Sequence, residues 1–122
     1  MSQGSRSTTP RVNRRASRRS PLRGTVRVEC RKGALGLGPD LVKFPLDISE
    51  TGVRLVLKVE LGEGQEVEVL ISGGHGKPLK RLARVIWSVP TENNCHVVGV
   101  RFDGHLPFAE LQGVTRPPKV LA

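Results

Sequence analysis

A two-residue alternation of Val, Leu and Ile with polar side chains recurs six times along this chain, and it constrains the fold more than any other feature. Such a period sends successive side chains to opposite faces of an extended strand. In the stretch from Leu22 to Cys30, Val26, Val28 and Cys30 alternate with Thr25, Arg27 and Glu29. Val42, Phe44, Leu46 and Ile48 form the next run, and Val53, Leu55, Leu57 and Val59 the third. Val67, Val69 and Ile71 follow. A long strand is predicted from Leu79 to Val89, with Arg81, Ala83, Val85 and Trp87 on one side, and Val98, Val100 and Phe102 make the last. Gly-, Pro- and Asn-rich turns separate the runs, at spacings of about ten to fifteen residues. No helical crossover lies between any two runs, which disfavours a parallel sheet. The pattern predicts an all-β fold, a closed or nearly closed six-stranded antiparallel barrel. Leu106 to Gln112 has room for one or two helical turns before Pro117 and Pro118 stop it, so any C-terminal helix is short.

The chain has 122 residues, the size of one domain with a modest core. Its net charge of +9 is unevenly spread. Seven of the 20 Lys and Arg residues are arginines in the first 23 positions, and no acidic residue precedes Glu29. The remainder carries 13 basic and 11 acidic residues, so a nearly neutral body bears a basic arm. Such an arm points to a phosphate-bearing partner: a nucleotide, a nucleic acid or an anionic membrane surface. Residues 1–13 are polar and aperiodic and are expected to be a disordered tail. The Arg- and Ser-rich start is also how a transit peptide reads. No apolar run approaches the roughly 18 residues that span a membrane, and no hydrophobic segment marks a secretory signal. Cys30 and Cys95 lack metal-ligand spacing, so buried reduced thiols and a cytoplasmic setting are expected, with no metal site.

Catalysis finds little support. His75, His96 and His105 are scattered through a glycine loop, a strand start and a terminal turn. Nucleophile-elbow, zinc-protease and phosphate-loop signatures are absent. The chain reads as a binding protein, with no catalytic residue and no cofactor. Two segments carry the binding chemistry. The first is Arg14-Arg15-Ala16-Ser17-Arg18, whose guanidinium groups offer planar, permanently charged forks for phosphate and guanine. The second is the turn Asp47-Ile48-Ser49-Glu50-Thr51-Gly52, which sets a carboxylate, a hydroxyl and an unhindered backbone close together. Alone, the first is also a solvated tail or nonspecific nucleic-acid arm. The second is also an ordinary turn whose Asp and Ser bond local backbone and whose Gly supplies a positive φ.

Taken in order, the two segments resemble the PilZ domain family of bacterial receptors for cyclic di-GMP, marked by an RxxxR arm and a [DN]xSxxG turn. Ala83-Arg84-Val85-Ile86-Trp87 and Val98-Gly99-Val100-Arg101-Phe102 are similar to two later strands of that family. The resemblance covers residues 14–112, with the arm at 14–21 and a C-terminal tail at 113–122. It implies a six-stranded split β-barrel with the ligand on its outer surface. It also implies cyclic di-GMP contacts from Arg14, Arg15 and Arg18, a seat of Asp47, Ser49 and Gly52, and a further contact from Trp87. Arg15 and Arg19 satisfy the same spacing, but the doubled arginine favours Arg14 and Arg18 as the pair. Ordering of the arm on binding is the expected output, toward a downstream protein partner. The competing readings are a basic-armed barrel that binds RNA or DNA, and a PilZ-like interaction module without ligand.

Overall fold

The computed structural model describes residues 18–116. The predicted tail 1–13, Arg14 and Arg15, and residues 117–122 lie outside the described residues. The strands are β1 (Arg27–Lys32), β2 (Val42–Ile48), β3 (Gly52–Leu57), β4 (Glu66–Ser72), β5 (Leu79–Pro90) and β6 (His96–Phe102). A short helix, α1 (Phe108–Val114), follows. Every pairing is antiparallel, in the order β1-β4-β5-β6-β3-β2.

The sheet curls until its edge strands β1 and β2 meet without forming a ladder. Asp40 closes this seam. One of its carboxylate oxygens accepts from the main-chain N–H of Cys30 at 3.0 Å and of Val42 at 3.1 Å. The N–H of Leu41 donates to the Cys30 carbonyl at 2.9 Å. The result is the expected six-stranded all-β barrel, split along one seam.

The alternation fills the barrel. Val28 and Cys30, Val53, Leu55 and Leu57, Val67, Val69 and Ile71, Ala83 and Val85, and Val98, Val100 and Phe102 all face inward and are buried. Removing one such Leu or Ile side chain typically costs about 2–5 kcal/mol, which for a core this small is a large share of the total. Both cysteines are free and buried. Burial, with Asp40 nearby, pushes the Cys30 thiol up to about 12.

The local readings need five corrections. β1 starts at Arg27, because the chain turns at Gly24 and Thr25, and buried Leu22 instead forms an isolated bridge with Thr115. In β2, Val42 and Ile48 are buried, but Phe44 and Leu46 are exposed. Pro45 has no N–H for the ladder, and two register shifts around it break the alternation. Val59 lies beyond the end of β3 and is exposed. In β5 a bulge between Val85 and Trp87 sets both against consecutive β6 residues, Val100 and Gly99. One extra residue reverses the phase of everything after it. Trp87 therefore leaves the side shared by Ala83 and Val85 and joins the outer face. The helix extends to Val114, which is part of the core.

Candidate functional site

The DISETG turn joins β2 to β3, and its residues have divided tasks. The N–H of Ser49 donates to the Gly52 carbonyl at 2.8 Å, so the loop proper is Glu50 and Thr51. Ser49 is fully buried. Its hydroxyl oxygen accepts from the Thr51 N–H at 3.2 Å and lies 3.1 Å from the Thr51 hydroxyl. The turn is pinned from outside as well. The N–H of Phe102 donates to the Thr51 carbonyl and that of Leu106 to the Glu50 carbonyl, both at 2.8 Å. Ser49 thus shapes the turn from within and offers no exposed hydroxyl.

Gly52 has no positive φ, so the conformational reason first expected for it does not apply. The reason is space: a Cβ there would fall on the Val100 carbonyl oxygen and crowd the Arg101 Cα. Only glycine lets the start of β3 lie this close to β6.

Asp47 stands directly opposite Arg54 across the hairpin. The Arg54 Nε donates to both carboxylate oxygens at 2.9 and 3.0 Å, and one terminal nitrogen of Arg54 adds a further bond to Oδ2. This fork raises the Arg54 pKa above its already high ordinary value. Arg19 reaches Asp47 Oδ1 from the arm at 3.3 Å. Two arginines therefore share one carboxylate whose side chain is only 14% exposed. The backbone of the arm is fixed beside them: Ser20 and Ile48 exchange two main-chain hydrogen bonds, at 2.8 and 3.0 Å.

On the outer face, cross-strand register aligns Asp47, Arg54, Gly99 and Trp87 in one row over β2, β3, β6 and β5. Gly99 exists for Trp87, since a Cβ there would collide with the indole ring. The ring packs against the glycine and is half-buried. Beside it, Arg19, Thr51, Gly52, Ile86, Trp87 and Arg101 border a shallow cavity of about 280 Å³. Of the residues expected at the site, Gly52 and Trp87 line this cavity. Asp47 adjoins it through Arg19, Ser49 is beneath, and Arg18 is exposed with no ion pair among the described residues. Arg14 and Arg15 lie outside the described residues.

Sequence reasoning missed Arg54 and Arg101. A signal for Arg54 was present: a hairpin folding about Glu50 and Thr51 sets position 54 opposite 47, and opposite charges there stabilise the pair. Nothing comparable marked Arg101, whose place depends on how β6 lies between β3 and β5.

The arrangement offers guanidinium forks, one polarised carboxylate, a flat aromatic surface and open backbone. It contains no cluster of His, Cys, Asp and Glu able to hold a metal among the described residues. No described helix is long and apolar enough to cross a membrane. A family model described as the PilZ domain matches residues 13–115. No curated protein and no solved structure matches the chain.

Proposed function

The chain belongs to the PilZ domain family, a family of non-catalytic receptor domains for cyclic di-GMP, and from that premise we propose that it binds this dinucleotide on the outer face of the barrel beside Trp87. The observation that carries the reading is the Asp47 carboxylate, held in a fork by Arg54 and reached by Arg19 at the root of the arm. A carboxylate so held keeps its orientation before any ligand arrives. Exchange of the long Arg19 contact, 3.3 Å, for a guanine edge frees acceptor capacity for N1–H and N2–H₂.

In this reading Arg14, Arg15 and Arg18 supply the phosphate contacts and stack on or bond the guanines. Asp47 and the Gly52 backbone receive a guanine edge, and Trp87 gives it a flat surface. Ser49 acts through the turn. Charge-assisted hydrogen bonds contribute roughly 1.5–3 kcal/mol each, and an arginine–base stack about 0.5–2 kcal/mol. Three or four contacts, less the cost of ordering the arm, correspond to a micromolar constant, about −8 kcal/mol.

The root of the arm also suggests how binding is relayed. Immediately after Ser20, the chain is clipped to the C-terminal helix. The N–H of Arg23 donates to the Val114 carbonyl at 2.9 Å, and that of Arg116 to Pro21 at 3.0 Å. The Arg23 side chain donates to the carbonyls of Gly113 and Gln112 at 3.1 and 3.2 Å. A ligand that draws residues 14–18 onto the barrel acts on a segment tied to α1, which is where a downstream protein would sense it.

Calorimetric titration with cyclic di-GMP tests the reading. Wild type should bind, Arg14→Ala and Arg18→Ala should bind more weakly, and a short RNA should give no heat. Heat with the RNA and none with the dinucleotide would replace the reading by a nucleic-acid barrel. For the relay, amide exchange of residues 11–23 should slow at saturating ligand, and an unchanged pattern removes it.

A further inference from the structure

Next to the row that holds Asp47 runs a second one: Glu66, Arg84, Arg101 and Gly52, over β4, β5, β6 and β3. Arg84 and Arg101 stand directly opposite each other across β5 and β6, and both are exposed. Like charges in a facing pair are destabilising. Among the described residues neither makes an ion pair. Arg84 donates one long bond, 3.3 Å, to the Gly64 carbonyl, and the Arg101 side chain donates none to the described residues. These forks are unspent in a structure that employs most of its other arginines.

They also face an opening. Arg84 and Arg101 line a cavity of about 360 Å³ with Glu66, Asp103, Leu82 and Ile86. Arg101 and Ile86 border the smaller cavity beside Trp87 too, so the two cavities adjoin at these side chains, as halves of a trough. The trough's second half carries both signs of charge and two exposed apolar side chains, Leu82 and Ile86. A bare phosphate would meet the carboxylates of Glu66 and Asp103 as well as the arginines. Guanine suits the set better. Its O6 and N7 accept from an arginine fork, its N1–H and N2–H₂ donate to a carboxylate, and its ring covers apolar surface.

We propose that the cavity between Arg84, Arg101 and Asp103 is a second guanine subsite, which receives the base that the Asp47–Trp87 half of the trough leaves unheld. It rests on the proposed binding of cyclic di-GMP and deepens it. Arg101 joins the halves and contacts ligand on both sides. The base comes from the far half of the same dinucleotide or from a second copy stacked on the first.

Calorimetry of the whole chain with Arg101→Gln and Asp103→Asn, beside cyclic di-AMP, separates these cases. If the base belongs to a second copy, Arg101→Gln halves the stoichiometry. If it belongs to the same molecule, the stoichiometry holds and affinity falls roughly tenfold. Either result supports the subsite. Asp103→Asn should reduce the preference for cyclic di-GMP over cyclic di-AMP, again roughly tenfold, because an adenine edge lacks the two donors. Wild-type binding retained unchanged by both variants overturns the subsite and leaves the receptor reading standing. Failure of the wild type to bind overturns both. A thermal midpoint for Arg101→Gln at or above that of wild type shows that weakened binding is not lost folding; should it fall, the Asp103→Asn preference decides.

Discussion

The two neighbouring rows on the outer face of the sheet are built on opposite principles. In the first, each charge is answered: Asp47 takes a fork from Arg54 and a contact from Arg19, and Trp87 fills the space above Gly99. In the second, Arg84 and Arg101 face each other with no ion pair among the described residues, above the same barrel core. The first row pairs its charges without ligand. On the proposed subsite, the second holds its guanidinium forks for a ligand. The difference teaches that preorganisation and reserve are separate jobs, and that this barrel assigns them to adjacent rows. Substitution of the first row's paired charges should therefore damage the fold as well as binding, and substitution of Arg84 or Arg101 should damage binding alone.

The largest effect is expected where the rows touch, at Gly52. Gly52→Ala puts a methyl group onto the Val100 carbonyl oxygen, and backbone must move to admit it. The expected loss is about 3 kcal/mol, read as a lowered midpoint in chemical denaturation. Wild-type stability would show that β3 and β6 are not held together this tightly, and the first row would lose its rigid base.

Arg54→Ala is next. It leaves a carboxylate of low exposure with Arg19 alone, at 3.3 Å. A charge-assisted bond to such a group is worth about 1.5–3 kcal/mol, so a loss of about 2 kcal/mol is expected. Ligand affinity should fall too, since Asp47 loses its fixed orientation. Arg54→Lys should recover little of either, because an ammonium cannot reproduce the fork. A variant as stable as wild type would mean that Asp47 is held from elsewhere.

How much of this was legible beforehand follows the range of the interactions. The barrel was legible because its alternation is local: each inward Val or Leu announces its face two residues at a time. Asp47 and Gly52 were legible as a turn, and the family resemblance gave them a task. The side taken by Trp87 was not legible, because one bulged residue after Val85 inverts the face, and no side-chain pattern marks it. Phe44 and Leu46 misled for a like reason: apolar spacing pointed inward while Pro45 broke the ladder. The burial of Ser49 and the opposition of Arg84 and Arg101 are set by long-range packing and register, which the sequence carries only once strand order is known.

Ser49→Ala probes the inner side of the first row. The variant deletes a buried hydroxyl that accepts from Thr51 and neighbours its side chain, leaving the Thr51 N–H without that acceptor. About 1 kcal/mol of stability should be lost. Because the hydroxyl is not exposed, affinity measured well below the melting temperature should change by less than that amount implies. An affinity loss larger than the stability loss would show that Ser49 turns outward to meet the ligand.

The smallest expected effect has the opposite sign, and it bears most directly on the contrast between the rows. Arg101→Gln removes one of two facing like charges and no ion pair among the described residues. Relief of that repulsion should stabilise the free protein by about 0.5 kcal/mol, and the gain should shrink as added salt screens it. A gain at low salt that fades at high salt is the signature of a charge kept against the interest of the fold. A loss of stability instead would mean that Arg101 already has a structural partner. The second row would then be built on the same principle as the first.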